Sequence, residues 1–294
     1  MTVLDNLSRD ARAAVIRLRS LGDCVLTTPA IHLLRSARPE MRIAIVVEDR
    51  FREIFEGNPD IDQILPPKLR DLRTFQPDLC LNLHGGTRSA RLTALSRARF
   101  RAGFAHFPNR FVYNVRIPTA QEILGVDRKV HTAEHVASAI FHLGVPRREL
   151  PRARLFATPL APRIVLHPFA SAPEKTWPAS HFIRLAERLR APVVFIGEAA
   201  DDFTPFRSFE MAAGASLSHI KALLAGASLF VGNDSGPAHM AAAFGVPSVV
   251  MFAASDPVIW APWKTTAETI VANDIRSITV EEVLAAVERL QVAA

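Results

Sequence analysis

At 294 residues, with 49% hydrophobic and 22% charged residues, the chain is too apolar for a disordered protein and long enough for one large domain or two ordinary ones. Its two cysteines, Cys24 and Cys80, lie far apart without metal-ligand spacing, which argues against a disulfide framework and fits a reducing compartment. The net charge of +6 is uneven: Met1 to Leu160 holds 25 Lys+Arg against 16 Asp+Glu and the remainder 10 against 13, so the first half expects an acidic partner.

The opening segment carries acids and has no long apolar core, so no signal peptide is expected, and no apolar run is long enough to span a bilayer. Ala13 to Leu18 reads as a buried parallel strand, Arg19 to Asp23 as a turn, and Cys24 to Ser36 as a helix. This opening lacks the Gly-x-Gly-x-x-Gly spacing of a dinucleotide fingerprint, which argues against pyridine-nucleotide binding. Strands follow at Met41 to Val47, Ile61 to Leu65 and Asp78 to Leu83, with a short helix at Phe51 to Glu56. The last of these strands ends in the polar, glycine-containing tip His84 to Arg88. Arg88 to Arg101 is a basic helix-to-strand region with phenylalanines interleaved beyond it, but no nucleic-acid motif accompanies it, and no nucleic-acid partner is expected. His131 to Leu143 reads as a helix; His131, His135 and His142 have no fitting acidic third ligand, so a half-buried or solvated face is expected and no metal.

Prolines gather between Val145 and Pro162, where the periodicity lapses, and a domain boundary is placed there, giving domains 1–156 and 157–294. A second alternation begins with strand Ile164 to Leu166, loop His167 to Trp177, helix Ala179 to Leu189, strand Val193 to Ile196 and loop Gly197 to Asp202. Phe203 to Ala213 is poorly patterned, and helix Leu217 to Ala225 follows. The stretch Phe230 to Val246, FVGNDSGPAHMAAAFGV, then delivers a strand through a polar turn into a helix, with Asp234 or Ser235 suited to the cap and Pro237 to the first turn. Gly245 and Pro247 stop that helix. Asp-Ser-Gly-Pro also occurs in the nucleophile segment of trypsin-like proteases, but those are all-β, whereas this chain alternates strands and helices. Strand Ser248 to Phe252, a last strand at Thr269 to Ala272 and a terminal helix Thr279 to Val292 with a Thr-Val-Glu-Glu capping sequence complete an α/β reading with two similar domains.

Three separated motifs, VIRLRSLGDCVLTTPAIHLLRSARP (Val15 to Pro39), LHPFASAPEKTWP (Leu166 to Pro178) and VGNDSGPAHMAAAFGVP (Val231 to Pro247), together resemble glycosyltransferase family 9. Within it the match is to the ADP-heptose:lipopolysaccharide heptosyltransferases, and it covers nearly the whole chain. The resemblance implies a GT-B fold, two Rossmann-like parallel-sheet domains facing a central cleft. The donor would be held mainly by the second domain and the acceptor approached by the first.

It also implies roles residue by residue. Asp23 is the expected catalytic base, taking a proton from the acceptor hydroxyl; by itself it would read as a helix cap. Lys175 is expected to offset charge growing on the leaving diphosphate. Ser171, Glu198, Asp234, Ser235, Gly236 and His239 are the further expected donor-binding residues, with Glu198, or else Asp201 or Asp202, on the ribose hydroxyls. Arg19, Ser20, Gly22, His84 and Arg88 are expected on the acceptor side. The implied reaction is inverting transfer from an ADP-sugar substrate without a metal or other cofactor, to a phosphorylated lipid-linked oligosaccharide acceptor of the lipopolysaccharide core. The implied setting is cytoplasmic, with peripheral membrane contact. The Glu198 to Ser228 segment is shorter than in typical relatives. A non-catalytic nucleotide-sugar or phosphorylated-sugar binding protein, and an epimerase on the same fold, are the alternatives from other classes; the joint presence of Asp23 and Lys175 argues against the first.

Overall fold

In the computed structural model, which describes residues 1–292, the alternation of apolar runs and helical stretches resolves into two doubly wound parallel sheets. The chain divides into a unit spanning Met1–Arg154 and a second beginning at Leu155. The first unit runs β1 (Arg12–Ile16), α1 (Leu21–Ala37), β2 (Arg42–Val46), β3 (Gln63–Leu65), α2 (Leu69–Phe75), β4 (Leu79–Asn82), α3 (Thr87–Leu95), β5 (Phe100–Phe104), β6 (Val115–Ile117), α4 (Ala120–Leu124) and α5 (Thr132–Leu143). Its strands pair in parallel in the order β3-β2-β1-β4-β5-β6. A parallel strand covered on both faces has no solvent side, so its sequence is a continuous apolar run rather than an alternation. Side chains nevertheless alternate between faces: Ala14, Ile16, Ala44, Val46 and Cys80 share one cluster with Leu72 and Phe75 of α2 and Leu92 of α3. Helix α1 packs with α5 instead.

The second unit runs β7 (Ile164–His167), α6 (Ala179–Arg188), β8 (Val193–Gly197), β9 (Glu210–Ala213), α7 (Leu217–Gly226), β10 (Leu229–Asn233), α8 (Gly236–Phe244), β11 (Ser248–Phe252), α9 (Pro257–Trp260), β12 (Ala267–Val271) and α10 (Val280–Val292). Its parallel order is β12-β11-β10-β7-β8-β9. Trp177, fully buried, packs edge-on to Phe182 at 4.9 Å and donates its indole N–H to the Ile278 carbonyl at 2.8 Å. Side chains of this size contribute about 1.5–3 kcal/mol each when fully buried.

The poorly patterned Phe203–Ala213 stretch proves to be structured. It forms a 3-10 turn, Thr204–Phe206, and the edge strand β9. No α-helix covers the β8–β9 crossover; Phe206 stacks on Phe195 at 4.4 Å, with Phe203 and Phe209 beside them, and fills the place with aromatic rings. This accounts for the short segment after Glu198. An edge strand has one hydrogen-bonded neighbour and most of β9 is exposed, so it lacks the apolar run of the inner strands. Helix α1 begins at Leu21, earlier than the expected Cys24, because Ser20 takes the N-cap position.

Both units share one topology. Numbered within each unit, the strand order is 3-2-1-4-5-6, so the winding reverses between first and fourth strands, at β1/β4 and at β7/β10. Ligands of open α/β sheets sit outside the carboxyl ends of the strands at that reversal.

Candidate active site

In the first unit, the residues following β1 and β4 meet at the switch point. The chain leaves β1 through Arg17 to Arg19 and enters α1 with Ser20 and Asp23 as a reciprocal capping pair. Asp23 Oδ2 accepts from the Ser20 hydroxyl at 3.0 Å and from its backbone N–H at 3.5 Å, while Oδ1 lies 3.4 Å from Arg17 Nη1. Asp23 is therefore both a helix-capping carboxylate and the counter-ion of a buried arginine. Arg17, whose Nε also donates to Thr27 Oγ1 at 3.2 Å, was not among the residues expected from the sequence. Burial pulls its pKa down, and Asp23 and Cys24 oppose that.

His84, half-buried after β4, belongs to the same neighbourhood. Its pKa is lowered first by burial, then by the Arg17 and Arg19 charges, with Asp23 pulling the other way. Arg19 and Ser20 are exposed and Gly22 is buried. Arg88, on α3, points elsewhere: its guanidinium sits 3.3 Å from Glu48 and contacts the Pro67 carbonyl. His135 and His142 are half-buried, within the expected half-buried or solvated face, whereas His131 is buried. His131 caps the helix, accepting from the Ala133 N–H at 3.0 Å, and His135 stacks on Phe104 at 4.2 Å, where burial brings its pKa down to about 4.

In the second unit, Lys175 and Asp234 come together across the β7/β10 switch. Lys175 ends a 3-10 turn, Pro173–Lys175, and its Nζ lies 3.3 Å from Asp234 Oδ2. The same oxygen accepts from the Ser255 hydroxyl at 2.5 Å, and Ser255 is a residue that sequence reasoning missed. Ser235 takes the N-cap position of α8 as expected, but neither it nor Asp234 accepts a capping hydrogen bond through its side chain. Asp234 is taken up by Lys175 and Ser255, while Ser235 Oγ contacts His167 Nδ1 at 3.0 Å and the Asn233 carbonyl at 3.1 Å. Both contacts are satisfied together when Nδ1–H donates to Oγ and the hydroxyl donates to the carbonyl. His167 is buried, which lowers its pKa to about 4. The amino end of α8 is thus left without a capping side chain.

The remaining expected donor residues are dispersed. Gly236 opens α8; His239 is buried in it, 6.2 Å from the Trp260 ring. Ser171 and Glu198 are exposed on the loops after β7 and β8. Of the acids weighed beside Glu198, Asp201 accepts from the Glu198 N–H at 2.7 Å and Asp202 from the Thr204 N–H at 2.9 Å, so both hold the loop together. That leaves Glu198 as the acid whose carboxylate is uncommitted there. Among the described residues, no group of three or more His, Cys, Asp or Glu side chains is arranged to hold a metal ion, and no helix is long and apolar enough to cross a membrane.

Each fourth strand ends in a fully buried asparagine that organises its switch point. Asn82 Oδ1 accepts from the His84 and Gly85 N–H groups at 3.0 and 3.1 Å, and its Nδ2 donates to Ser89 Oγ and Tyr113 Oη. Tyr113 can reach it because Gly103 has no side chain: a Cβ there would meet the ring at 2.6 Å. Asn233 Oδ1 accepts from the Trp177 N–H at 3.0 Å, which ties the Lys175 loop to the strand carrying Asp234.

Two sheets of one topology, each gathering polar side chains at its switch point, define a two-domain protein of the nucleotide-binding α/β class. Residues 68–285 match the profile of glycosyltransferase family 9 (heptosyltransferase). The chain belongs to that family and is a glycosyltransferase with the GT-B type of fold. It is 26% identical to the lipopolysaccharide heptosyltransferase 3 of Escherichia coli, over 88% of each chain. Among solved structures it resembles the family 9 glycosyltransferase of Veillonella parvula, with a TM-score of 0.85 at 24% identity over 98% of this chain and 100% of the other. It also resembles the ADP-heptose lipopolysaccharide heptosyltransferase II of Escherichia coli, with a TM-score of 0.80 at 21% identity over 96% and 100%.

Proposed function

We propose that this glycosyltransferase moves a heptose or closely related sugar from an ADP-sugar to a hydroxyl of a lipopolysaccharide core acceptor, with inversion and without a metal ion. The observation that carries the reading is the Lys175–Asp234–Ser255 cluster beside the uncapped amino end of α8. A helix amino terminus and a lysine ammonium both favour a diphosphate, and both grow more favourable as the sugar–phosphate bond breaks and charge collects on the leaving group. Together they supply the positive potential that a bound cation would otherwise provide. A carboxylate beside a diphosphate would repel it; here Lys175 offsets that repulsion. Both contacts to Asp234 fall on Oδ2, so Oδ1 is the oxygen offered to a hydroxyl of the transferred sugar. The Ser235 and Gly236 amides meet the phosphates, Glu198 the ribose hydroxyls, and Ser171 and His239 complete the donor side.

Asp23 takes the proton of the acceptor hydroxyl as that oxygen attacks the anomeric carbon, through a transition state of oxocarbenium character. Arg17 and Ser20 hold its carboxylate in place. Arg19, Gly22 and His84 serve the acceptor side, and the basic excess of the first unit suits an acceptor bearing phosphates and acidic sugars. The names of the curated relatives support the lipopolysaccharide acceptor. The acceptor's lipid places the reaction at the cytoplasmic face of a membrane, with the protein in peripheral contact. Calorimetric titration with ADP, UDP and GDP, each with and without EDTA, tests the reading: chelator-insensitive preference for ADP is expected. Preference for UDP or GDP would discard the ADP-heptose donor, and a requirement for a divalent ion would discard the metal-free route.

A further inference from the structure

The exposed charge of the segment that carries α2 and α3 is of one sign. Between Pro66 and Arg101, the segment that builds the α2/α3 layer, every exposed charged residue is a cation: Lys68, Arg70, Arg88, Arg91, Arg97 and Arg99. The only acids in that segment, Asp71 and Asp78, are half-buried, and Asp78 accepts from the Arg12 N–H at 2.9 Å. From Ala120 to Leu143, which holds α4 and α5, the exposed charges are Glu122, Asp127, Arg128 and Lys129, two of each sign. Helix α5 packs with α1, away from the cluster that α2 and α3 share. The exposed charge of the α2/α3 segment is therefore wholly basic, whereas the further exposed arginines after it, Arg110, Arg116, Arg147, Arg148 and Arg152, are spread over loops and β6.

That layer is also amphiphilic. Between α2 and α3 lies a groove of about 210 Å³ lined by Pro67, Leu69, Leu92 and Leu95 together with Arg88 and Arg91. Leu95, in its lining, is 38% exposed. Arg88 is drawn toward Glu48, whereas Arg91, one helical turn on, makes no ion pair among the described residues. A nucleic acid would meet phosphate contacts here without an aromatic stacking platform in the groove. A bilayer surface satisfies both features, because its phosphates meet the arginines and its acyl boundary meets the exposed Leu95 and the apolar lining beside it.

We infer that the α2/α3 face of the first unit is a docking surface for an anionic phospholipid bilayer. The proposed function supplies the reason for such a surface, since its acceptor is lipid-linked, but the docking itself requires neither acceptor nor nucleotide. Each cation near an anionic membrane contributes about a fivefold gain in partition, so reversing two is expected to lower binding at least about 30-fold.

The test is co-sedimentation of the full chain with vesicles of phosphatidylethanolamine and phosphatidylglycerol, and with vesicles of phosphatidylcholine alone, at 0.1 M salt. Wild-type protein is expected on the first and not on the second. The paired variant Arg70→Glu/Arg91→Glu is expected to be lost from the anionic vesicles. Arg147→Glu/Arg152→Glu, which makes the same change of net charge outside this layer, is expected to lose less than fivefold. Leu95→Glu tests the groove and is expected to bind less tightly than wild type at every salt concentration. Thermal melts establish that each variant is folded. Equal losses in the two charge pairs would overturn the assignment of the face. So would equal partition onto both lipids, no partition at all, or competitive displacement by duplex DNA at 0.15 M salt. A protein that docks as expected but ignores ADP in the calorimeter would refute the donor reading and leave the docking face standing.

Discussion

Replacing Asp23 by Asn removes one charge and little volume, and its two consequences separate cleanly. The chemical one follows from the role proposed for Asp23: an amide accepts no proton, so turnover should fall by about 10²- to 10⁴-fold, the usual contribution of a positioned base. The structural one follows from Arg17. Breaking a fully buried ion pair costs about 3–5 kcal/mol. Here the two side chains are 8% and 25% exposed at a separation of 3.4 Å, and Arg17 keeps its bond to Thr27, so about 1–3 kcal/mol is expected. For a unit of this size that lowers the melting temperature by about 3–10 °C. The introduced amide still accepts from Ser20, so the α1 cap survives. The assay is initial-rate ADP release at 25 °C, below the melting transition, alongside calorimetric ADP binding. Affinity for ADP should stay within about twofold of wild type, because the proposed diphosphate contacts lie in the other unit. A folded Asp23→Asn variant that binds ADP and turns over within about threefold of wild type would refute Asp23 as the base.

Lys175→Met should weaken ADP binding by about 10- to 100-fold, the worth of a charge-assisted hydrogen bond, and should lower stability by about 1–3 kcal/mol because Asp234 loses its cation; an unchanged calorimetric Kd would remove Lys175 from the diphosphate site. Trp177→Phe keeps most of the buried ring but leaves the Ile278 carbonyl without its 2.8 Å partner, so urea titration should show a loss of about 1–3 kcal/mol. Acid should weaken the second unit through His167. Its folded pKa of about 4 lies below the ordinary 6.5, so the unfolded chain binds the extra proton and stability is lost as pH falls from 6.5 toward 4, by up to about 3 kcal/mol. His167→Gln should flatten that part of the pH profile, and an equally steep profile in the variant would assign the loss to other groups.

The fold was legible because parallel strands buried on both faces announce themselves. Ser248–Phe252 was bounded correctly from its sequence, and the inner strands of both sheets were found within a few residues. What escaped was whatever lacked that burial: the edge strand β9, the short strand β6, and the helices α2, α4 and α9, each one or two turns long. The turns that carry polar residues were also legible, since a polar, glycine-containing break after an apolar run marks a strand's carboxyl end. The partnerships between turns were not. Lys175 and Asp234 are 59 residues apart, and only the sheet order, with β10 placed against β7, brings them to 3.3 Å.

Some residues also present the wrong face in a sequence. Arg17 falls inside the apolar run Ala13 to Leu18 that reads as a strand, yet it lies just beyond β1 and is the buried counter-ion of Asp23. Asn233 reads as an ordinary turn former and Asn82 as part of the Asp78 to Leu83 strand. Their shared place at the end of the fourth strand in each unit gives them a different task. A fourth strand lies beside the first, so an amide at its tip can reach the loop on either side of the switch point. Asn82 uses that reach to fold the His84 turn back on its own strand, and Asn233 uses it to hold the Trp177 backbone across from Asp234. In the second unit the consequence is chemical. Lys175 sits two residues before a backbone N–H fixed to Asn233, and Asp234 one residue after Asn233 itself, so a single buried side chain limits how far the ammonium and the carboxylate can separate. If the proposed donor diphosphate binds here, the carboxylate beside it needs its neutralising lysine held at that distance, and the strand order provides the place from which one asparagine can do so.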